Sequence, residues 1–285
     1  MTQKALFALV ERIYTGSFSV VHRARDVRTL REVVVKRCCD DAHARREFYA
    51  LSGLAQRGCR NVAALELDRL FGDSEVDPGG LSPGPFRSGS GDHPANIALT
   101  LYDPSPPPVC GSDLELRPVL FDVLRALADI HAAGYVHCDV KRENLVTCRE
   151  EGGVYRLIDF GLAVEAPAAA AASRSVRGTP FYMAPELARL GYTTPLVDEY
   201  AAGVLAYSLL HGLRHFAPGV NGSRSGLECA RAVAWSRYSP DDWSNGDAPL
   251  AADLCAGLLR DDPRARTTAR RALEHPLFDG MEESK

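Results

Sequence analysis

No C-x-x-C pair occurs among the eight cysteines (Cys38, Cys39, Cys59, Cys110, Cys138, Cys148, Cys229 and Cys255), and no His/Cys group shows the usual zinc spacings. That excludes a zinc finger and a disulfide-stapled secreted scaffold, and the thiols read as reduced thiols of a reducing compartment. Long apolar runs are also missing. The most apolar segment, residues 200–210, is far shorter than the roughly 20 residues a bilayer demands. The N-terminus lacks a basic segment followed by an apolar stretch, which argues against a signal peptide. Asn221-Gly222-Ser223 then reads as a chance match to the glycosylation acceptor. Neither sign of charge is in surplus: the net charge is −4 and the pI about 6.1. Nothing points to a nucleic-acid or membrane surface.

What is present suits a large core: 285 residues, 46% apolar and 25% charged. The first forty residues read as strands, with Phe7-Ala8-Leu9-Val10, a turn near Thr15-Gly16, then Val20-Val21 and Val33-Val34-Val35. Residues 42–54 are rich in helix formers and close at Gly58. Residues 72–95 are crowded with Gly, Pro and Ser and read as a disordered insertion between two strands. Ile97-Ala98-Leu99-Thr100-Leu101 resumes a strand, and the prolines of residues 104–108 make a stiff connection. Little room is left for a helix directly after it. Leu120, Leu124, Leu127 and Ile130 share one helical face, with Gly134 as C-cap. Beyond Pro185 the chain reads as helical, with residues 197–210 at its centre.

The stretch His137-Cys138-Asp139-Val140-Lys141-Arg142-Glu143-Asn144 sets a carboxylate and an amide five residues apart. One can meet a hydroxyl while the other reaches a metal-bound phosphate. Asp159-Phe160-Gly161 follows at the end of a short apolar strand. Gly178-Thr179-Pro180-Phe181-Tyr182-Met183-Ala184-Pro185-Glu186 comes next, and Val33-Val34-Val35-Lys36 stands upstream. In this order the four resemble the catalytic-loop, D-F-G, A-P-E and V-A-I-K signatures of the eukaryotic-type protein kinase family. The resemblance covers about residues 7–278.

It implies an α+β, two-lobed protein kinase-like fold, a single domain over residues 1–285. A small antiparallel-sheet N-lobe with one main helix takes about residues 1–102, including the insertion at about 72–95, and a larger, mostly helical C-lobe takes about residues 109–280. It implies ATP and Mg2+ as cofactors. Lys36 would contact the α- and β-phosphates and pair with Glu47 on the helix. Ile13-Tyr14-Thr15-Gly16-Ser17-Phe18-Ser19-Val20-Val21 matches the family's glycine-rich loop at Gly16, Phe18 and Val21. Tyr14 and Ser19 replace two glycines whose backbone would approach the phosphates. Ile13 and Gly16 are thus nucleotide-loop residues. Val21 and Val34 would roof the adenine, Val146 would floor it, backbone groups from Leu101 to Asp103 would bond its edge, and Leu99 would close the back. Asp159 would chelate Mg2+ and Asn144 would hold the second ion. Asp139 would accept the hydroxyl proton and Lys141 would neutralise the transferring phosphoryl group. Asp198 would brace the catalytic loop, and Arg266 would pair with Glu186.

Lys141 and Thr179 are the serine/threonine-type choices at their positions, so the resemblance implies transfer of the γ-phosphate of MgATP to Ser/Thr hydroxyls of protein substrates. Glu143 resembles the glutamate that favours arginine upstream of the acceptor. A pseudokinase, acting as a binding or allosteric module, is the alternative, and the altered glycine loop and Cys138 suggest it. A small-molecule phosphotransferase is third, and the A-P-E segment opposes it. Cys138 stands where the family's arginine binds a loop phosphate, so control is expected to be constitutive or through a regulatory partner protein. No nucleic-acid or membrane partner is implied. The expected location is intracellular, cytoplasmic or nuclear. The minimal length, Ala/Arg-rich composition and irregular loop resemble kinases of large DNA viruses, which would place it in a host cell.

Overall fold

Valine-rich strands build the first half of the chain and apolar helices the second. A computed structural model describes residues 5–81, 95–148, 152–166, 173–174, 176–211 and 248–281. They divide into two compact units: Met1–Gly58, Ala63–Tyr102 and Asp159–Gly161 in the first, and Cys59–Val62, Asp103–Ile158 and Leu162–Lys285 in the second.

The first unit holds β1 (Phe7–Thr15), β2 (Ser19–Asp26), β3 (Glu32–Cys38), α1 (Asp41–Gln56), β4 (Val76–Asp77) and β5 (Asn96–Thr100). The sheet order is β4-β1-β2-β3-β5. Alternation along β3 decides what each face carries. Val33 and Val35 join Phe7, Ala24, Phe71 and Ala98 in a buried core on one face. Val34 and Lys36 point to the other, opposite Leu99 and Val21 in register. α1 starts where Asp40 accepts the His43 N–H at 2.8 Å. Its buried stripe is Ala44, Glu47, Phe48, Leu51 and Leu54, a helical period facing the sheet's needs with one carboxylate set among apolar groups.

The segment from residue 72 onward departs from the disorder its composition suggests. Asp73–Glu75 form a 3-10 turn, and Val76–Asp77 pair in parallel with β1 at the edge of an otherwise antiparallel sheet. Charge makes the difference. Glu75 is buried and receives Arg69 Nη2 at 2.6 Å and the Gly72 N–H at 3.2 Å, while Asp73 receives Arg37 and Asn96. Polar anchors hold a stretch that lacks the apolar side chains to hold itself. Residues 82–94, covered by the same expectation, lie outside the described residues.

The second unit runs α2 (Asp113–Ala132), β6 (Tyr135–Val136), β7 (Leu145–Cys148), β8 (Val154–Leu157), β9 (Val164–Glu165), β10 (Ser173–Arg174), α3 (Pro185–Leu190), β11 (Tyr192–Thr193), α4 (Leu196–His211), α5 (Pro249–Leu258) and α6 (Ala269–Ala272). Three two-stranded ribbons, β6–β9, β7–β8 and β10–β11, carry the loops between helices. No helix forms over residues 104–112, in line with the crowded sequence there. α4 is buried from Val197 to Leu209 on every side and forms the axis of this unit. Gly203 permits the approach of α5: a Cβ there would stand 2.9 Å from the Leu259 side chain. Asn61 donates to Asp122 Oδ1 and to the Tyr155 carbonyl, both at 3.1 Å, which anchors Cys59–Val62 in the second unit. No described helix is long and apolar enough to cross a membrane.

Candidate active site

Lys36 is the centre of charge in the first unit. Its Nζ lies 2.6 Å from Glu47 Oε2 and 2.7 Å from Asp159 Oδ1. Only a short turn separates β3 from α1, so eleven residues suffice to bring Glu47 opposite Lys36. Burial alone would lower the lysine pKa, but the Glu47 and Asp159 carboxylates outweigh it and hold the ammonium well above its ordinary range. Burial pushes the Glu47 carboxyl up while Lys36 draws it back. Asp159 takes a positive φ of 66°, and its side chain keeps 44% of its surface exposed despite the ion pair. Phe160 is fully buried beside it, and Arg46 Nη1 donates to the Gly161 carbonyl at 2.8 Å.

The β1–β2 hairpin turns through Gly16, whose N–H donates to the Ser19 carbonyl at 2.9 Å. The Tyr14 ring folds over this glycine: a Cβ at Gly16 would meet the Tyr14 hydroxyl at 2.6 Å. Ile13 and Phe18 are exposed on the hairpin. Val21 and Val34 are half-buried on the Lys36 face, Leu99 is buried opposite Val34, and Leu101 is half-buried past the end of β5.

In the second unit four side chains converge. Asp139 Oδ1 accepts the Thr179 hydroxyl at 2.7 Å and the Thr179 N–H at 2.9 Å. Lys141 Nζ lies 2.6 Å from Asp139 Oδ2 and 2.9 Å from Thr179 Oγ1. Asn144 Nδ2 donates to the Asp139 carbonyl at 2.8 Å and to its Oδ2 at 3.0 Å. The backbone that presents them is fixed from below. Asp198 accepts the N–H groups of His137 and Cys138, both at 2.8 Å, which holds Cys138 at φ 68°. Gly178, at φ +108°, packs on the Cys138 carbonyl where a Cβ would collide, so glycine is what lets Thr179 reach Asp139. Val146 is buried in β7, opposite Arg156.

Asp103 departs from its expected role at the adenine edge. Its N–H donates to the Thr147 carbonyl at 2.9 Å and its carbonyl accepts the Thr147 N–H at 3.1 Å. Both backbone groups serve a bridge to β7, and its carboxylate takes the Ser105 N–H.

A constellation of carboxylate, lysine, amide and threonine hydroxyl in the second unit, and a buried lysine–carboxylate pair in the first, are each groups that suit phosphoryl transfer. The family model described as "Protein kinase domain" matches residues 109–278. The chain belongs to the protein kinase domain family. The kinase domain is 34% identical over 197 residues to the phosphorylase b kinase gamma catalytic chain, liver/testis isoform, of Mus musculus, covering 65% of this chain and 45% of that one. It is 34% identical over 175 residues to CDPK-related kinase 7 of Arabidopsis thaliana, covering 61% and 29%. With calcium/calmodulin-dependent protein kinase type II subunit delta of Oryctolagus cuniculus it shares 29% identity over 272 residues, 95% of this chain and 48% of the relative. The chain thus spans less than half the length of these curated relatives. Apart from Asp159–Gly161, the family match covers residues of the second unit, whereas the last relative aligns through the first as well.

One half-buried group of the kinase domain, His131, escaped the sequence reading. His131 Nε2 lies 2.9 Å from Asp198 Oδ2, and its Nδ1 lies 3.2 Å from Glu199 Oε1. Burial would lower its pKa, but the hydrogen bonds to both carboxylates outweigh that and hold it at about 9. The available signal was its position four residues after Leu127, which places it at the margin of the buried stripe of α2. Arg266, by contrast, is where it was expected: Nη1 and Nη2 grip Glu186 at 2.6 and 3.0 Å, with the guanidinium 4.9 Å over the Tyr200 ring.

Proposed function

We propose that this chain is a serine/threonine protein kinase, transferring the γ-phosphate of MgATP to Ser/Thr hydroxyls of protein substrates. The observation that carries this reading is the Asp139–Lys141–Thr179 triangle. Thr179 presents a β-branched alcohol to Asp139 at 2.7 Å, the approach a substrate serine or threonine would use to give up its proton. Lys141 stands beside the same oxygen pair and adds positive charge where the phosphoryl group would arrive. Lys36, held by Glu47 and Asp159, offers its ammonium to phosphate oxygens. Bound MgATP would supply the phosphoryl group and the charge of its metal.

Each unit by itself offers a ligand suited to that metal. Asp159 offers a half-exposed carboxylate, and Asn144, with Nδ2 turned to Asp139, offers an amide oxygen; both are hard ligands of the kind Mg2+ takes. In the first unit, Val21 and Val34 offer an apolar surface on the Lys36 face that suits an adenine ring. Relatives named for phosphorylase b kinase and for a calcium/calmodulin-dependent protein kinase support a protein acceptor. Exposed Glu143 favours arginine upstream of the acceptor. Tyr14 folded over Gly16 favours the competing reading, a pseudokinase module with a covered phosphate loop.

Radiolabel transfer to a generic protein substrate separates the two. The native chain should transfer label to serine and threonine. Asp139→Asn and Lys36→Met should each reduce turnover on the order of 10²-fold or more with the fold preserved by circular dichroism. No transfer by the native chain, or near-normal turnover by either variant, would reject the assignment.

A further inference from the structure

Among the described residues, Cys39, Asp40 and His43 are the one group of three side chains placed to share a metal ion. They stand where β3 gives way to α1. Cys39 Sγ lies 3.5 Å from Asp40 Oδ2 and 4.0 Å from His43 Nδ1, and His43 Nδ1 lies 2.9 Å from Asp40 Oδ2. A tetrahedral ion with bonds of about 2.3 Å to sulfur and about 2.0–2.2 Å to nitrogen and oxygen sets its ligand atoms roughly 3.3–3.6 Å apart. Each observed separation falls within about half an ångström of that range, a matter of small side-chain rotations.

Each ligand is also held by a contact of its own. Asp40 Oδ1 accepts the His43 N–H at 2.8 Å as the helix cap, which orients the carboxylate. The His43 ring stacks on Phe18, with centroids 5.0 Å apart and planes 17° apart. The Cys39 N–H donates to the Phe18 carbonyl at 2.8 Å. Such outer contacts are what orient metal ligands in built sites. None of the three residues has a part in the proposed phosphoryl transfer.

We propose that Cys39, Asp40 and His43 form a site for a zinc-class divalent cation, with the fourth position open to water. A thiolate, an imidazole and a carboxylate select a borderline-soft ion over Mg2+ and Ca2+, which take oxygen ligands. Binding releases the Cys39 thiol proton to solvent. The ion would tie the tip of the glycine hairpin, through Phe18, to the first turn of α1. Glu47 lies one turn further along that helix, so the site braces the Lys36–Glu47 pair. The zinc spacings missing from the sequence are replaced by a C-D-x-x-H run that converges only once the helix cap has formed.

The test uses the whole chain, stripped with chelator and titrated with Co2+ as a spectroscopic probe, then with Zn2+ as competitor. One equivalent of Co2+ should give a thiolate-to-metal charge-transfer absorption that Zn2+ displaces, and Zn2+ should raise the melting temperature. Cys39→Ser and His43→Gln should abolish both signals. Asp40→Asn, which retains the cap, should weaken Co2+ affinity by about tenfold or more. Absorption that survives in Cys39→Ser would put the ion on another thiol, and no absorption in the native chain would leave only a helix cap. Either result overturns the proposal.

Discussion

Cys138 occupies a position whose backbone is fixed by Asp198 but whose side chain carries no charge. Burial pushes its thiol far up, so it stays neutral, and it has no donor fork for a phosphate. Arginine there would couple a loop phosphate to the catalytic loop. We therefore expect phosphatase treatment, and the Ser173→Ala/Ser175→Ala double variant, to leave turnover within about tenfold of normal, or roughly 1.4 kcal/mol in the barrier. A larger drop in a kinetic assay would mean that a neighbouring cation such as Arg177 reads the loop. Ser173 pairs with Thr193 through its backbone, and Ser175 lies outside the described residues. That Lys36 meets Asp159 and that Asn144 meets Asp139 could be read from sequence because each residue sits inside a short motif of fixed spacing. Asp103 could not: its backbone partner, Thr147, is distant in the chain, and no side-chain pattern announces a main-chain bridge.

At the scale of elements, periodic apolar stretches gave themselves away. α1 and α4 extend only a residue or two past the limits their patterns suggest, because Asp40 and the buried run of α4 are local features. β4 was hidden, since two residues in a Gly/Pro/Ser-rich stretch gain their order from Arg69, Arg37 and β1 elsewhere in the chain. The pairing of α2 with α4 through His131 was hidden for the same reason. Its consequence is a pH dependence. The folded pKa of about 9 lies above the ordinary 6.5, so the protonated imidazole stabilises the fold fully below about pH 6.5, and that contribution is lost as pH rises through 9. Thermal melts from pH 6 to 10 should show a falling midpoint over that window. Glu199→Gln replaces one of the two carboxylates by a neutral amide and should narrow the window from its upper end. A melting temperature flat from pH 6.5 to 9.5 would show that His131 is neutral in the folded chain.

At the scale of the whole molecule, the two units exchange short pieces of chain. Cys59–Val62 packs with the second unit, and Asp159–Gly161 packs with the first. The first unit is therefore not a free-standing piece of sequence. A fragment ending at Tyr102 lacks Asp159, one of the two carboxylates on buried Lys36, and should show a lower or absent cooperative transition by circular dichroism. A fragment melting as sharply as the intact chain would contradict this. During biosynthesis the same arrangement becomes a delay. Lys36 leaves the ribosome 123 residues ahead of Asp159, which at about 5–20 residues per second is a wait of roughly 6–25 s. For that interval the nascent sheet carries an incompletely neutralised lysine, and its strands are open to whatever chaperone meets them first.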